Sequence, residues 1–151
     1  MDRWSLTYNK GQRSLIMNPT NAKEEFVKEG AEKMTDKDVE KVVVKSEDIQ
    51  QKFTASGPLR RFIEDAKLLI AMIKDYWKRN YRQVPFGVIG AIAFTLIYVL
   101  NPYDIVPDVL PLIGQVDDAA VFAGCLMLIE SDLRKYKDWK DGGPTPPQIT
   151  G

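Results

Sequence analysis

The sequence predicts an all-α protein: amphipathic helices followed by a hydrophobic helical hairpin with a Pro/Asp-rich turn. Three observations predict it. Apolar residues recur at three- and four-residue spacing through 58–79. An uncharged run of 21 residues follows, from Gln83 to Tyr103. The β-branched run Val42-Val43-Val44, which could be a short strand, has no partner strand elsewhere.

The elements follow in chain order. Residues 1–20 show no periodicity and end near Asn18-Pro19, so they read as a disordered lead. The first ten residues lack an apolar core, and no secretory signal is expected there. Residues 21–34 favour a polar, weakly amphipathic helix. Residues 36–53 form a better one, with Asp36 as a possible cap and Val39, Val42, Val43 and Ile49 as a thin apolar stripe. Gly57-Pro58 is a stop followed by a start, since proline is well tolerated at the beginning of a helix. The helix over 58–79 carries the stripe Leu59, Phe62, Ile63, Ala66, Leu69, Ile70, Ile73 and Trp77. After a connector over 81–85, an uncharged helix runs to Leu100. Asn101-Pro102 ends it, because proline disfavours helix at the residue before it. The last helix covers 118–137, apolar at first and charged from Glu130 onward. The Gly- and Pro-rich tail reads as disordered. The domain division is therefore 1–20, 21–80, 81–140 and 141–151.

Length and composition bound the function. The 151 residues suit one domain, and 44% hydrophobic residues allow a sizeable core. Twenty-one basic and 21 acidic residues cancel, which removes a global electrostatic argument for nucleic acid. There is no His, so His-based general bases and His-ligated metals are excluded. The single Cys125 excludes an internal disulfide, and its place in the apolar half of the last helix suits core packing better than nucleophilic chemistry. The serines have no His partner, and no Gly-rich phosphate loop is present; Gly87 and Gly90 lie inside the apolar helix. No catalytic residue, cofactor or resident metal is expected from these residues, and the chain reads as a non-enzyme.

The zero net charge hides an asymmetry. Residues 60–82 carry seven basic and three acidic side chains, whereas 83–129 carry four Asp and no Lys or Arg. A bilayer core takes about 20 apolar residues as a helix, so the run from 84 to 100, extended by its flanks, is just long enough to span. Its flanks suit a membrane interface: Tyr76, Trp77 and Tyr81 before it, Tyr98 and Tyr103 near its end. Arg60, Arg61, Lys74, Trp77, Lys78, Arg79, Tyr81 and Arg82 are the candidate membrane-interface residues. Cations on the cytoplasmic side would place the amino-terminal region inside the cell. The competing reading is a buried core helix of a bundle, which is also apolar all round.

Between the two apolar helices lie Asn101, Pro102, Asp104, Pro107, Asp108, Pro111, Gly114, Asp117 and Asp118, embedded in aliphatic residues. Carboxylates in such surroundings need partners. Capping accounts for Asp104 and for Asp117, with Asp118 favouring a helix amino terminus and Asn101 closing the preceding helix. Asp108 is left over. A Mg²⁺ or Ca²⁺ site is the alternative, although the spacing matches no calcium loop. An ion relay at membrane depth is a further one.

This run, Asn-Pro-x-Asp-x-x-Pro-Asp-x-x-Pro-x-x-Gly-x-x-Asp-Asp over 101–118, resembles the motif of the bacterial YkvA-type domain of unknown function. The resemblance covers roughly 81–129. It implies an all-helical, membrane-associated domain; a similar domain occurs in a RING-type ubiquitin ligase of the endoplasmic reticulum membrane. It implies no known activity and offers no catalytic residue. The expectation is an uncharacterised membrane-associated interaction or scaffolding module. Its partners would be membrane lipid and either a membrane protein or a second copy, with no nucleic acid. An Asp-based cation-binding or ion-conducting protein and a soluble helical bundle are the alternatives.

Overall fold

The computed structural model describes residues 19–101 and 118–142, with side chains from Glu24 onward. Within them the chain forms eight helices and no strand, as the periodicities predict. They are α1 (Pro19–Ala31), α2 (Asp36–Val44), α3 (Ser46–Ala55), α4 (Gly57–Arg60), α5 (Ile63–Trp77), α6 (Phe86–Leu100), α7 (Asp118–Leu128) and α8 (Glu130–Lys140).

Helix α6 is the axis of the bundle. α1, α2, α3, α5 and α7 all pack against it. Every residue from Val88 to Val99 is buried. A helix with protein on all sides has no polar face, and this one carries no charged residue. Extended residues close it at both ends. Pro85 is extended, and its carbonyl accepts from the Val88 and Ile89 N–H groups at 3.0 and 3.4 Å. At the other end, the extended Asn101 closes the helix by donating its N–H to the Ile97 carbonyl at 2.8 Å. The resulting 15 residues reach about 22 Å, against a hydrocarbon core of about 30 Å. No described helix is long and apolar enough to cross a membrane. The expected transmembrane helix is therefore not supported: the extended Pro85 and Asn101 bound it on either side.

The amino-terminal helix departs furthest from expectation. Phe26, Val27 and Ala31 of α1 are fully or almost fully buried, because α1 lies in the cleft between α6 and α7. The approach to α6 is close enough to require glycine. A Cβ on Gly90 would stand 2.8 Å from the Ala31 carbonyl oxygen, and one on Gly30 would stand 2.3 Å from the Phe94 ring. Phe26 fills the remaining space edge-on to Phe94 and Tyr98, with ring centroids 5.3 and 5.5 Å away. Tyr98, expected at a membrane interface, is thus a core residue.

Smaller differences have local causes. Residues 36–53 break into two helices at Lys45 (φ −97°, ψ 17°). The cap of α2 is Thr35 rather than Asp36: the Thr35 N–H and hydroxyl both donate to Asp38 Oδ2, at 2.8 and 3.0 Å. This is a capping-box arrangement with Asp in place of Glu. The predicted helix over 58–79 is interrupted at Arg61 and Phe62. Phe122 of α7 meets Phe53 and Phe62 at 4.9 and 5.1 Å, tying the carboxy-terminal half to α3 and to this interruption.

Candidate functional site

The chemically richest region is the carboxy-terminal end of α5. Asp75 lies in its last turn, where the helix dipole disfavours a negative charge. The carboxylate is nevertheless buried, and three donors satisfy it. Tyr136 Oη donates to Oδ2 at 2.6 Å, Lys140 Nζ to the same oxygen at 3.1 Å, and Asn80 Nδ2 to Oδ1 at 3.3 Å. Tyr136 and Lys140 are one turn apart on α8, so one face of that helix supplies both. Burial pushes the Asp75 carboxyl up, but these hydrogen bonds and the Lys140 charge together outweigh it and hold it below the usual range. Tyr136 is driven the other way, by burial first and then by its bond to the carboxylate. Tyr81 packs edge-on to Tyr136 and tilted against Trp139, at 5.1 and 5.0 Å. Burial and the nearby Asp132 charge raise its phenol.

The same Asp75 closes the helix with its backbone. Its carbonyl accepts from the Asn80 N–H at 2.8 Å, and the Tyr76 carbonyl accepts from the Arg79 N–H at 3.0 Å. This pair of bonds is a Schellman closure, which places its central residue in the left-handed region. That residue is Arg79, with φ 68°. Beside it stand the exposed Lys78 and Arg82 and the indole of Trp77, which is 39% exposed. The Arg82 guanidinium lies 4.1 Å from the Tyr76 ring centroid, and Tyr76 in turn packs on Phe86 at 6.3 Å.

The predicted interface residues are thereby sorted. Lys74, Trp77, Lys78, Arg79 and Arg82 gather at this corner. Arg60 and Arg61 lie at the opposite end of α5, about 20 Å away along the helix. Arg60 Nε donates to the Thr54 carbonyl at 3.4 Å, and Arg61 stacks on Phe62 at 4.7 Å. Tyr81 is a correction: it is 1% exposed and belongs to the aromatic core under α8. Its neighbours Asn80 and Arg82 face solvent while the Schellman turn directs the chain inward.

Of the motif residues, Asn101 and Asp118 stand where the sequence puts them, at the end of α6 and the start of α7. Pro102, Asp104, Pro107, Asp108, Pro111, Gly114 and Asp117 lie outside the described residues, as does Tyr103. Among the described residues no group of three acidic or thiol side chains gathers to hold a metal ion. Cys125 is fully buried, donates to the Ala91 carbonyl at 3.7 Å, and is pushed by burial up to about 12, well above a reactive thiol. An open groove of about 470 Å³ lies between α5, α7 and α8, with Leu68, Leu126, Met127 and Leu133 along its apolar wall.

The Asp75 network was missed by sequence reasoning. Its partners lie 61 and 65 residues away, on a helix whose charged face reads as solvated. The legible signal was local: an acidic side chain at the wrong end of a helix dipole needs compensation.

Residues 88–124 match the family described as Protein of unknown function (DUF1232). The chain is also 27% identical over 81 residues to the uncharacterised membrane protein YkvA of Bacillus subtilis (strain 168), an alignment covering 54% of this chain and 76% of the relative. No solved structure matches it. The family match spans most of α6, the motif and the first half of α7.

Proposed function

We propose that this chain, which carries a YkvA-type domain of unknown function, is a membrane-associated interaction module that meets the bilayer as a folded helical bundle. The carrying observation is the burial of α6. A helix already packed by five others has no face left for lipid, so docking of the intact bundle requires no unfolding. Membrane association itself is supported by the description of the Bacillus relative. In this reading the module performs no catalysis. It binds membrane lipid, and a membrane protein or a second copy completes the assembly, with the amino-terminal region on the cytoplasmic side.

Cell fractionation tests this. The protein is expected to pellet with membranes at low salt and to leave them in a high-salt wash, still folded. Retention through alkaline carbonate would mean insertion and would overturn the folded-bundle arrangement. Full recovery in the soluble fraction at low salt would overturn membrane association.

A further inference from the structure

We infer that the corner joining α5 to α6 is a binding surface for anionic bilayers, with Trp77 entering the interface and Lys78, Arg79 and Arg82 meeting lipid phosphates. This deepens the proposal above and rests on it. Four observations carry it.

The first is charge. From 76 to 101 the chain holds these three cations and no Asp or Glu. Asp75, the acidic residue of that turn, is drawn inside and matched by Lys140 and Tyr136, so its charge is largely spent within the protein.

The second is composition. An exposed indole among cations is the pairing that suits the boundary between headgroups and acyl chains. The third is the backbone at Arg79. A Schellman turn ordinarily uses glycine at the left-handed position, because any side chain costs energy there. The fold gains nothing from arginine at φ 68°, yet an exposed guanidinium is what the site displays. The fourth is rigidity. The turn is fixed by two backbone bonds and by Asn80 on Asp75, and Arg82 is held over the Tyr76 ring at 4.1 Å.

The test uses the full chain with vesicles of phosphatidylcholine, with and without phosphatidylglycerol. The parent is expected to sediment with the anionic vesicles and not with the neutral ones. Each Lys or Arg near an anionic surface is worth about fivefold in affinity. Lys78→Glu with Arg82→Glu should therefore weaken binding well over tenfold. A control pair of equal charge change, Lys33→Glu in the exposed α1–α2 turn with the exposed Lys37→Glu in the first turn of α2, should weaken it much less. Arg79→Gly keeps the turn and should lose about fivefold, which guards against misfolding as the cause. The tryptophan emission should shift to the blue on binding, and Trp77→Phe should remove that shift.

Equal losses in the two charge-reversal pairs would mean a net-charge effect and would overturn the surface assignment. So would a blue shift that survives Trp77→Phe. A parent that fractionates with cell membranes but ignores anionic vesicles would also sink this inference, leaving the membrane reading standing on a protein partner. Binding to a single-stranded oligonucleotide with the same variant pattern, and none to vesicles, would reassign the corner and overturn the inference.

Discussion

Helices α5 and α6 are adjacent and equal in length at 15 residues, and they show how differently a sequence can encode burial. α6 has no charge and is buried around its whole circumference. α5 is amphipathic and buries one face, yet it takes a carboxylate into the protein at its end. Apolarity all round thus reports the number of packing neighbours, and a membrane is only one way to supply them. The charged residue that matters sits on the helix with the ordinary pattern.

The largest contrast between the two should appear on introducing a charge into α6. Ile97→Asp would strand a carboxylate in the buried apolar cluster, with a loss of about 4 kcal/mol or more. Against a typical stability of about 5–15 kcal/mol, the melt followed by circular dichroism in detergent-free buffer should shift down by roughly 10 °C or more. A normal melt would mean that α6 contributes little to the fold.

On α5 the reverse change should hurt. Asp75→Ala leaves the Tyr136 hydroxyl and Lys140 without their acceptor, and denaturant unfolding should show a loss of about 2–3 kcal/mol. Most of this should come from the Tyr136 bond, because Lys140 is half exposed and screened by solvent. Tyr136→Phe should accordingly cost more than Lys140→Met. The reverse ranking would mean that charge, not the short hydrogen bond, holds α8 in place.

The contact of α1 with α6 gives a third test. Gly90→Ala gains helix propensity but drives a methyl group into the Ala31 carbonyl, and a net loss of roughly 1–3 kcal/mol is expected by thermal melting. An unchanged melting temperature would show that α1 can slide off the core.

Acid should separate the two helices further. The Asp75 carboxyl is held below its ordinary value, so its contribution is fully present above about pH 4 and is lost as pH falls through the lower folded value. Urea unfolding at a series of pH values should show this drop in the parent and a shallower one in Asp75→Asn. Parallel curves would mean that other carboxylates dominate. The smallest expected effect is at the corner: Arg79→Gly relieves the left-handed backbone and should raise stability by up to about 1 kcal/mol.

What the sequence made legible was local. The 3.6-residue period of α5, the proline before α6, the close of α6 at Asn101 and the helix from Asp118 are all written in neighbouring residues, and all are found. What it hid was long-range. Nothing near Phe26 announces that a polar-looking helix will be buried against Phe94 and Tyr98, because the pairing depends on two glycines 60 residues apart. Tyr81 misled for a related reason. An aromatic residue among cations looks interfacial until the turn at Arg79 is known to reverse its direction. At the corner itself, Lys74, Trp77, Lys78, Arg79 and Arg82 were visible as a run, and only the fold could separate them from Arg60 and Arg61.

The central claim, that α6 is the core of a protein bundle, is tested most directly by amide hydrogen exchange on the full chain in buffer without lipid or detergent. The account predicts that the amides of α6 exchange only through global unfolding, together with those of α1 and α7 that pack on it. Rapid exchange of α6 in buffer, with protection gained only on adding vesicles, would contradict it and return the helix to the bilayer.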